Sequence, residues 1–194
     1  MHAPLDAVRR GHHPGSSHPE RRAAHVGTMP VAMARVDEVR LLPDPEQHTL
    51  LAATLERVNR ASNAARAAAL QRQVFAGPPL REIVKEEVER AKLPDGFVRP
   101  IVDRVAASLQ RRAGKQPKFS TYQSLTLPAS AFKWATSDRV TMLTASGRRT
   151  IAVRVDKHRG DLRPPLSGRP ASLVFRNGEF DLLAADVERD TGDD

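Results

Sequence analysis

The 194-residue chain contains no cysteine, which excludes disulfides and thiolate zinc sites. That suits a reducing compartment, and a cytoplasmic protein is the expectation. No apolar run approaches the ~18 residues a membrane-spanning helix needs. Arg9 and Arg10 are followed by no apolar block, so residues 1–30 do not read as a secretory signal. Glycine patterns of the phosphate-loop or dinucleotide type are missing. Beyond residue 32 only His48 and His158 remain, neither beside a nucleophile. The carboxylates of 44–112 alternate with cations on solvated faces. Asp190-Thr191-Gly192 imitates a D-x-G metal motif without the apolar strand that would hold it. A non-catalytic chain is expected, with no metal and no cofactor.

What the chain does have is 40% hydrophobic residues, enough for a core, and a net charge of +8. That charge is unevenly spread. Residues 1–34 carry +2, 35–110 carry +1, 111–176 carry +11 and 177–194 carry −6. A block as one-sided as 111–176 repels itself, and a polyphosphate partner relieves the repulsion by counterion release.

Residues 1–32, with "RRGHHPGSSHPERR", have no periodicity and read as a disordered leader; their histidines lack the neighbours of a metal site. Met33 opens the patterned region. Residues 34–42 alternate as a strand, within a first segment taken as 33–43. Asp44, Pro45 and Gln47 form the start of a helix: a side-chain cap, a proline at the first position and a box-completing glutamine. Leu51, Leu55, Val58, Ser62, Ala65 and Ala69 then recur at helical spacing, predicting a helix to about Phe75. A second helix is predicted over about 79–92, with Leu80, Ile83, Val84, Val88 and Ala91 on one face. A third is predicted over about 97–112, with Val98, Ile101, Val102, Val105 and Leu109; Pro100 is tolerated there in the first turn. The three faces can pack as a bundle over 44–112.

After Arg112 the texture becomes basic and turn-rich. "RVTMLTASGRRTIAVRV" reads as strand, turn at Ser146-Gly147, strand, and "ASLVFRNGEFDLLAADV" carries Asn177-Gly178, the type I′ hairpin dipeptide, between two apolar runs. About five strands are expected over 113–187, with an acidic tail at 188–194. The fold class is α+β: a small antiparallel barrel of oligonucleotide-binding type with a three-helix bundle inserted after its first strand.

The candidate site combines a basic stretch with the aromatic and cationic residues C-terminal to it. Arg111, Arg112, Lys115 and Lys118 lie within eight residues, followed by Phe119, Tyr122, Lys133 and Trp134, with Arg148 and Arg149 in the first hairpin. Cations bind phosphates and aromatic faces stack on bases. The plainer reading makes Phe119 and Trp134 core residues and the cations a solvated linker.

In order and spacing, these segments resemble the N-terminal half of the TnpB (OrfB) family of transposon-encoded RNA-guided nucleases, related to compact type V CRISPR effectors. The similarity spans about 35–187 and rests on "VRLLPDPEQHTLLAATLERVNRASNAA", "LPDGFVRPIVDRVAASLQ", "GKQPKF" and the two hairpin segments. It implies a wedge-like barrel and a recognition lobe that together grip a structured guide RNA and target DNA, with pairing reading the sequence. The family continues into a RuvC-like domain with three metal-binding carboxylates and a Cys-x-x-Cys element, neither of which this sequence matches. The expectation is a binding remnant or a split half without the nuclease. The alternative is an interaction module whose basic face docks an acidic partner, such as a separately encoded nuclease half.

Overall fold

The computed structural model describes residues 36–110, 118–155, 166 and 168–185. The leader, Arg111, Arg112, Lys115, His158 and the acidic tail with Asp190 lie outside the described residues.

Strand β1 (Val36–Leu42) leads through two residues into α1 (Pro45–Gln71). The entry is the capping box read from the sequence. Asp44 Oδ1 accepts from Gln47 N at 2.8 Å, and Gln47 Oε1 accepts from Asp44 N at 3.3 Å. The helix stops short of Phe75. Arg72 N still bonds the Ala68 carbonyl, but Gln73 sits at φ 54°, and Val74 N turns back to Ala69 O. A left-handed residue just past a helix end satisfies its last carbonyls in this way.

Helix α2 (Gly77–Arg90) begins before residue 79 because Pro78 and Pro79 occupy its first turn, where a missing N–H costs nothing. It closes by the same device as α1, with Lys92 at φ 50° and Leu93 N bonded to Val88 O. A 3₁₀ turn (Asp95–Phe97) then opens α3 (Val98–Gln110), which places Pro100 in the first turn. The apolar faces lie inward: Leu51, Leu55, Val58, Ala65, Leu80, Val84, Val88, Ile101 and Val105 are buried. None of these helices is long and apolar enough to cross a membrane.

Six strands follow rather than five: β2 (Leu125–Leu127), β3 (Phe132–Thr136), β4 (Arg139–Thr144), β5 (Gly147–Val155), β6 (Ala171–Arg176) and β7 (Glu179–Ala185). With β1 they make one antiparallel sheet in the order β2-β6-β7-β1-β5-β4-β3. The sequence hides β2 and β3 because β2 is three residues long and β3 shifts register between Trp134 and Thr136. The β6–β7 turn carries Asn177 at φ 53° and Gly178 at φ 81°, the two positive values that a type I′ turn requires. The other hairpin turns one residue earlier than expected, at Ala145 and Ser146, with Gly147 opening β5 at φ 88°.

Connectivity forces this sheet to curl. Its two edge strands, β2 and β3, are joined by residues 128–131 alone. Five Cα steps reach at most about 18 Å. Six inter-strand spacings in a flat sheet would separate the edges by about 29 Å. The sheet therefore bends into a half-barrel, giving an α+β fold with three helices.

The concave side is filled by alternate residues such as Leu41, Leu125, Val140, Met142, Ile151, Leu173, Phe180 and Leu182. These join the helical residues in one contiguous core. Polar side chains along α1 pin helix to sheet. Thr54 Oγ1 accepts from Ala145 N at 2.9 Å, Gln47 Nε2 donates to Thr150 O at 3.3 Å, and His48 Nε2 donates to Gly178 O at 3.0 Å. Gly96 lies so close to β4 that an added Cβ would come 2.7 Å from Leu143 Cδ2.

Candidate nucleic-acid interface

Strand alternation and register decide which cations share a face. On β5, Ile151 and Val153 point into the core, so Arg148, Thr150, Ala152 and Arg154 face outward. Register then aligns Lys133 with Thr141 and Thr141 with Thr150, whose hydroxyls are 2.8 Å apart. Arg139 lies opposite Ala152. The outer face of β3, β4 and β5 thus carries Lys133, Arg139, Arg148 and Arg154, all exposed. From Arg148 to Arg154 the strip runs about 20 Å.

Among the described residues no carboxylate pairs with Lys133, Arg148 or Arg154. Arg148 Nη2 donates to the Ser130 carbonyl at 2.8 Å, which orients the side chain while leaving its charge uncompensated. The acid of this region among the described residues, Asp138, accepts from Thr136 Oγ1 at 2.7 Å. That bond first, then its own backbone N–H and, less, Arg139 beside it hold its carboxyl below the usual range.

The sequence-chosen residues divide accordingly. Lys133 and Arg148 belong to the strip. Arg149 is exposed too but takes the alternate side of β5, in register with Met142. Trp134 is half-buried against the core, as the plainer reading has it. Lys118 is exposed at the start of the segment leading to β2. Tyr122 is 47% exposed and leans on Phe175 with centroids 5.3 Å apart. Phe175 continues to Phe180 at 4.6 Å, and His48 packs edge-on against Phe180 at 5.0 Å. His48 is thus a structural clip between α1 and the β6–β7 hairpin.

Phe119 is held in place rather than offered to solvent. Its N–H donates to Asn63 Oδ1 and its carbonyl accepts from Asn63 Nδ2, both at 2.9 Å. One turn earlier on α1, Asn59 Nδ2 donates to the carbonyls of Thr121 and Gln123 at 2.9 and 3.0 Å. The guanidinium of Arg104 covers the Phe119 ring at 4.3 Å and donates to Asn59 Oδ1 at 2.9 Å. Two asparagines four apart inside a helix are a signal that sequence reasoning can use, since Asn is a poor interior helix residue. Arg139, Arg154 and Arg104 had no such local mark.

Among the described residues no three His, Asp or Glu side chains gather as metal ligands. The chain matches no protein-family model and no curated protein. Neither comparison links the chain to the TnpB family.

Proposed function

We propose that this chain binds the phosphate backbone of a nucleic acid through the outer face of β3, β4 and β5. The observation that carries this reading is the strip Lys133, Arg139, Arg148 and Arg154, in which, among the described residues, only Asp138, already engaged by Thr136, supplies an acid. Its length of about 20 Å matches about six nucleotides of one duplex strand. The sheet fixes the backbone positions of these cations in advance, and the released counterions supply the driving force.

The family resemblance supplies the particular partners: a structured guide-like RNA and its DNA target, gripped by the non-nuclease half of a TnpB-like effector. In this reading the half-barrel is an oligonucleotide-binding-type barrel with the helices inserted after β1; the element order supports it. Binding without cutting is part of the proposal. The absence of cysteine fits a cytoplasmic setting.

Affinity for a structured RNA, followed from low to high salt, tests the reading. The expected result is a linear fall of log K with log salt, sloping about −0.7 to −0.9 per phosphate neutralised. Polyglutamate of equal charge should compete weakly. Tight, salt-insensitive binding, or equal binding of polyglutamate and RNA, would instead favour a dock for an acidic protein. Incubation with magnesium or manganese should leave labelled DNA intact, and metal-dependent nicking by pure protein would overturn binding without cutting.

A further inference from the structure

A groove of about 510 Å³ runs between α3 and the edge strand β2, within the size range of small-ligand sites. It shares no residue with the basic strip. Pro100, Leu125 and Pro128 give it apolar walls, and Arg99, Arg104 and Ser124 are among its polar lining. Arg104 is the unusual member. Its guanidinium is partly desolvated, yet its partners among the described residues are all neutral: Asn59 Oδ1 at 2.9 Å, the Ser124 carbonyl at 3.4 Å and the Phe119 ring at 4.3 Å. The groove's carboxylate, Asp103, lies 3.9 Å from Arg99 instead. Burial pushes the Arg104 pKa down to about 10, the sign of a cation whose lost hydration is not made good by an acid. Among the described residues Arg104 Nε makes no hydrogen bond and is not fully buried.

We propose that this groove binds a nucleotide-sized phosphate ligand, with the phosphate on Arg104 and the organic part against Pro100, Leu125 and Pro128. A guanidinium offers a phosphate paired donors, Arg99 at the rim adds a second cation, and the apolar walls suit a sugar or base. The same chemistry is presented by a free mononucleotide and by the phosphorylated end of a strand.

The experiment measures binding of 5′-AMP and of adenosine to the full chain by calorimetry. AMP should bind, and adenosine about tenfold or more weaker, the worth of a charge-assisted contact. Arg104→Ala would also break the Asn59 and Phe119 contacts, so the decisive variant is Ala107→Trp. Ala107 is exposed on the groove wall, and a larger side chain there blocks the space while leaving Arg104's bonds intact. Ala107→Trp should keep the melting temperature of the unliganded protein and weaken AMP about tenfold or more. Equal binding of AMP and adenosine, no binding of AMP, or an Ala107→Trp protein that binds AMP like the parent would each overturn the proposal. A 5′-phosphorylated oligonucleotide that outbinds its 5′-hydroxyl twin, with the advantage lost in Ala107→Trp, identifies a strand end as the source. No such advantage, with AMP binding retained, identifies a free nucleotide. Removing the cations of the basic strip should leave AMP binding unchanged, so failure of the strip and failure of the groove are separate results.

Discussion

The outer face of the sheet has two halves that use arginine in opposite ways. Across β1, β7 and β6, Arg40 is bound by Glu179 and Asp181, and Arg176 lies 3.3 Å from Glu38 and 3.7 Å from Asp181. Asp181 is buried, its side chain 2% exposed beneath the two guanidiniums. Across β5, β4 and β3 the cations form no ion pair among the described residues. The border falls between β1 and β5, where Arg40 and Arg154 stand opposite each other in register. Like charges in that position repel, and the pair is tolerated because Arg40 is already neutralised from the β7 side. Residue type does not separate a structural arginine from an available one. The neighbouring strand does.

The largest effect expected concerns the available half. Changing Lys133, Arg139, Arg148 and Arg154 together to Ala should reduce the salt slope of RNA binding by about three units. That corresponds to roughly a 60-fold smaller loss of affinity between about 50 and 200 mM salt, with little change in unfolding free energy. An unchanged slope would make this half as self-contained as the other.

In the paired half, Arg40→Ala should lower the urea-unfolding midpoint, by less than orphaning a fully buried charge would, because Arg40 is itself a third exposed and Arg176 still stands near Asp181. The salt slope should move by less than about one unit. Its pKa is raised, chiefly by the Asp181 bond, so the pair persists throughout the neutral range. Arg176→Ala should cost only about 0.5 kcal/mol, since that side chain is half-exposed.

The smallest effect is at Asp138. Its folded pKa lies below the ordinary 3.8, mainly through the Thr136 hydroxyl. A depressed carboxyl contributes stability that is full above the unfolded value and is lost as pH falls through the folded one. Thr136→Val should therefore raise the Asp138 titration midpoint toward 3.8, as followed by carbon NMR, and weaken stability at neutral pH, with the difference from the parent vanishing as pH falls through the folded midpoint. A midpoint that stays put would assign the depression to the Asp138 backbone N–H and Arg139.

Much of the fold was legible because its signals are local. The Asp44–Gln47 box, the apolar faces of three helices and the Asn177-Gly178 turn each depend on residues within a few positions of one another. Helix ends were less legible: Gln73 and Lys92 close their helices in left-handed conformations without the glycine that normally marks such a position. The candidate site was half legible. The basic stretch pointed at Lys133 and Arg148, while Arg139 and Arg154 were passed over because their company is set by β4–β5 register. The expectation that aromatics follow cations to the surface holds for Tyr122. It does not hold for Trp134, which packs on the core, or for Phe119, which Asn63 and Arg104 hold in place.

By itself the sequence determined the three amphipathic helices, β1 and the two hairpin pairs, the excess of positive charge after residue 110 and the absence of cysteine chemistry. These follow from composition and from periodicities of 2 and 3.6 residues. Only the tertiary structure decided which charges cancel. Arg40 meets Asp181 across 141 residues of chain, and Arg104 meets Asn59 across 45. The curl of the sheet and the groove beside β2 were likewise settled by strand order and a four-residue link between its edges. Coulomb energy and desolvation depend on distance in space and on burial, and neither is written in the spacing of residues along the chain.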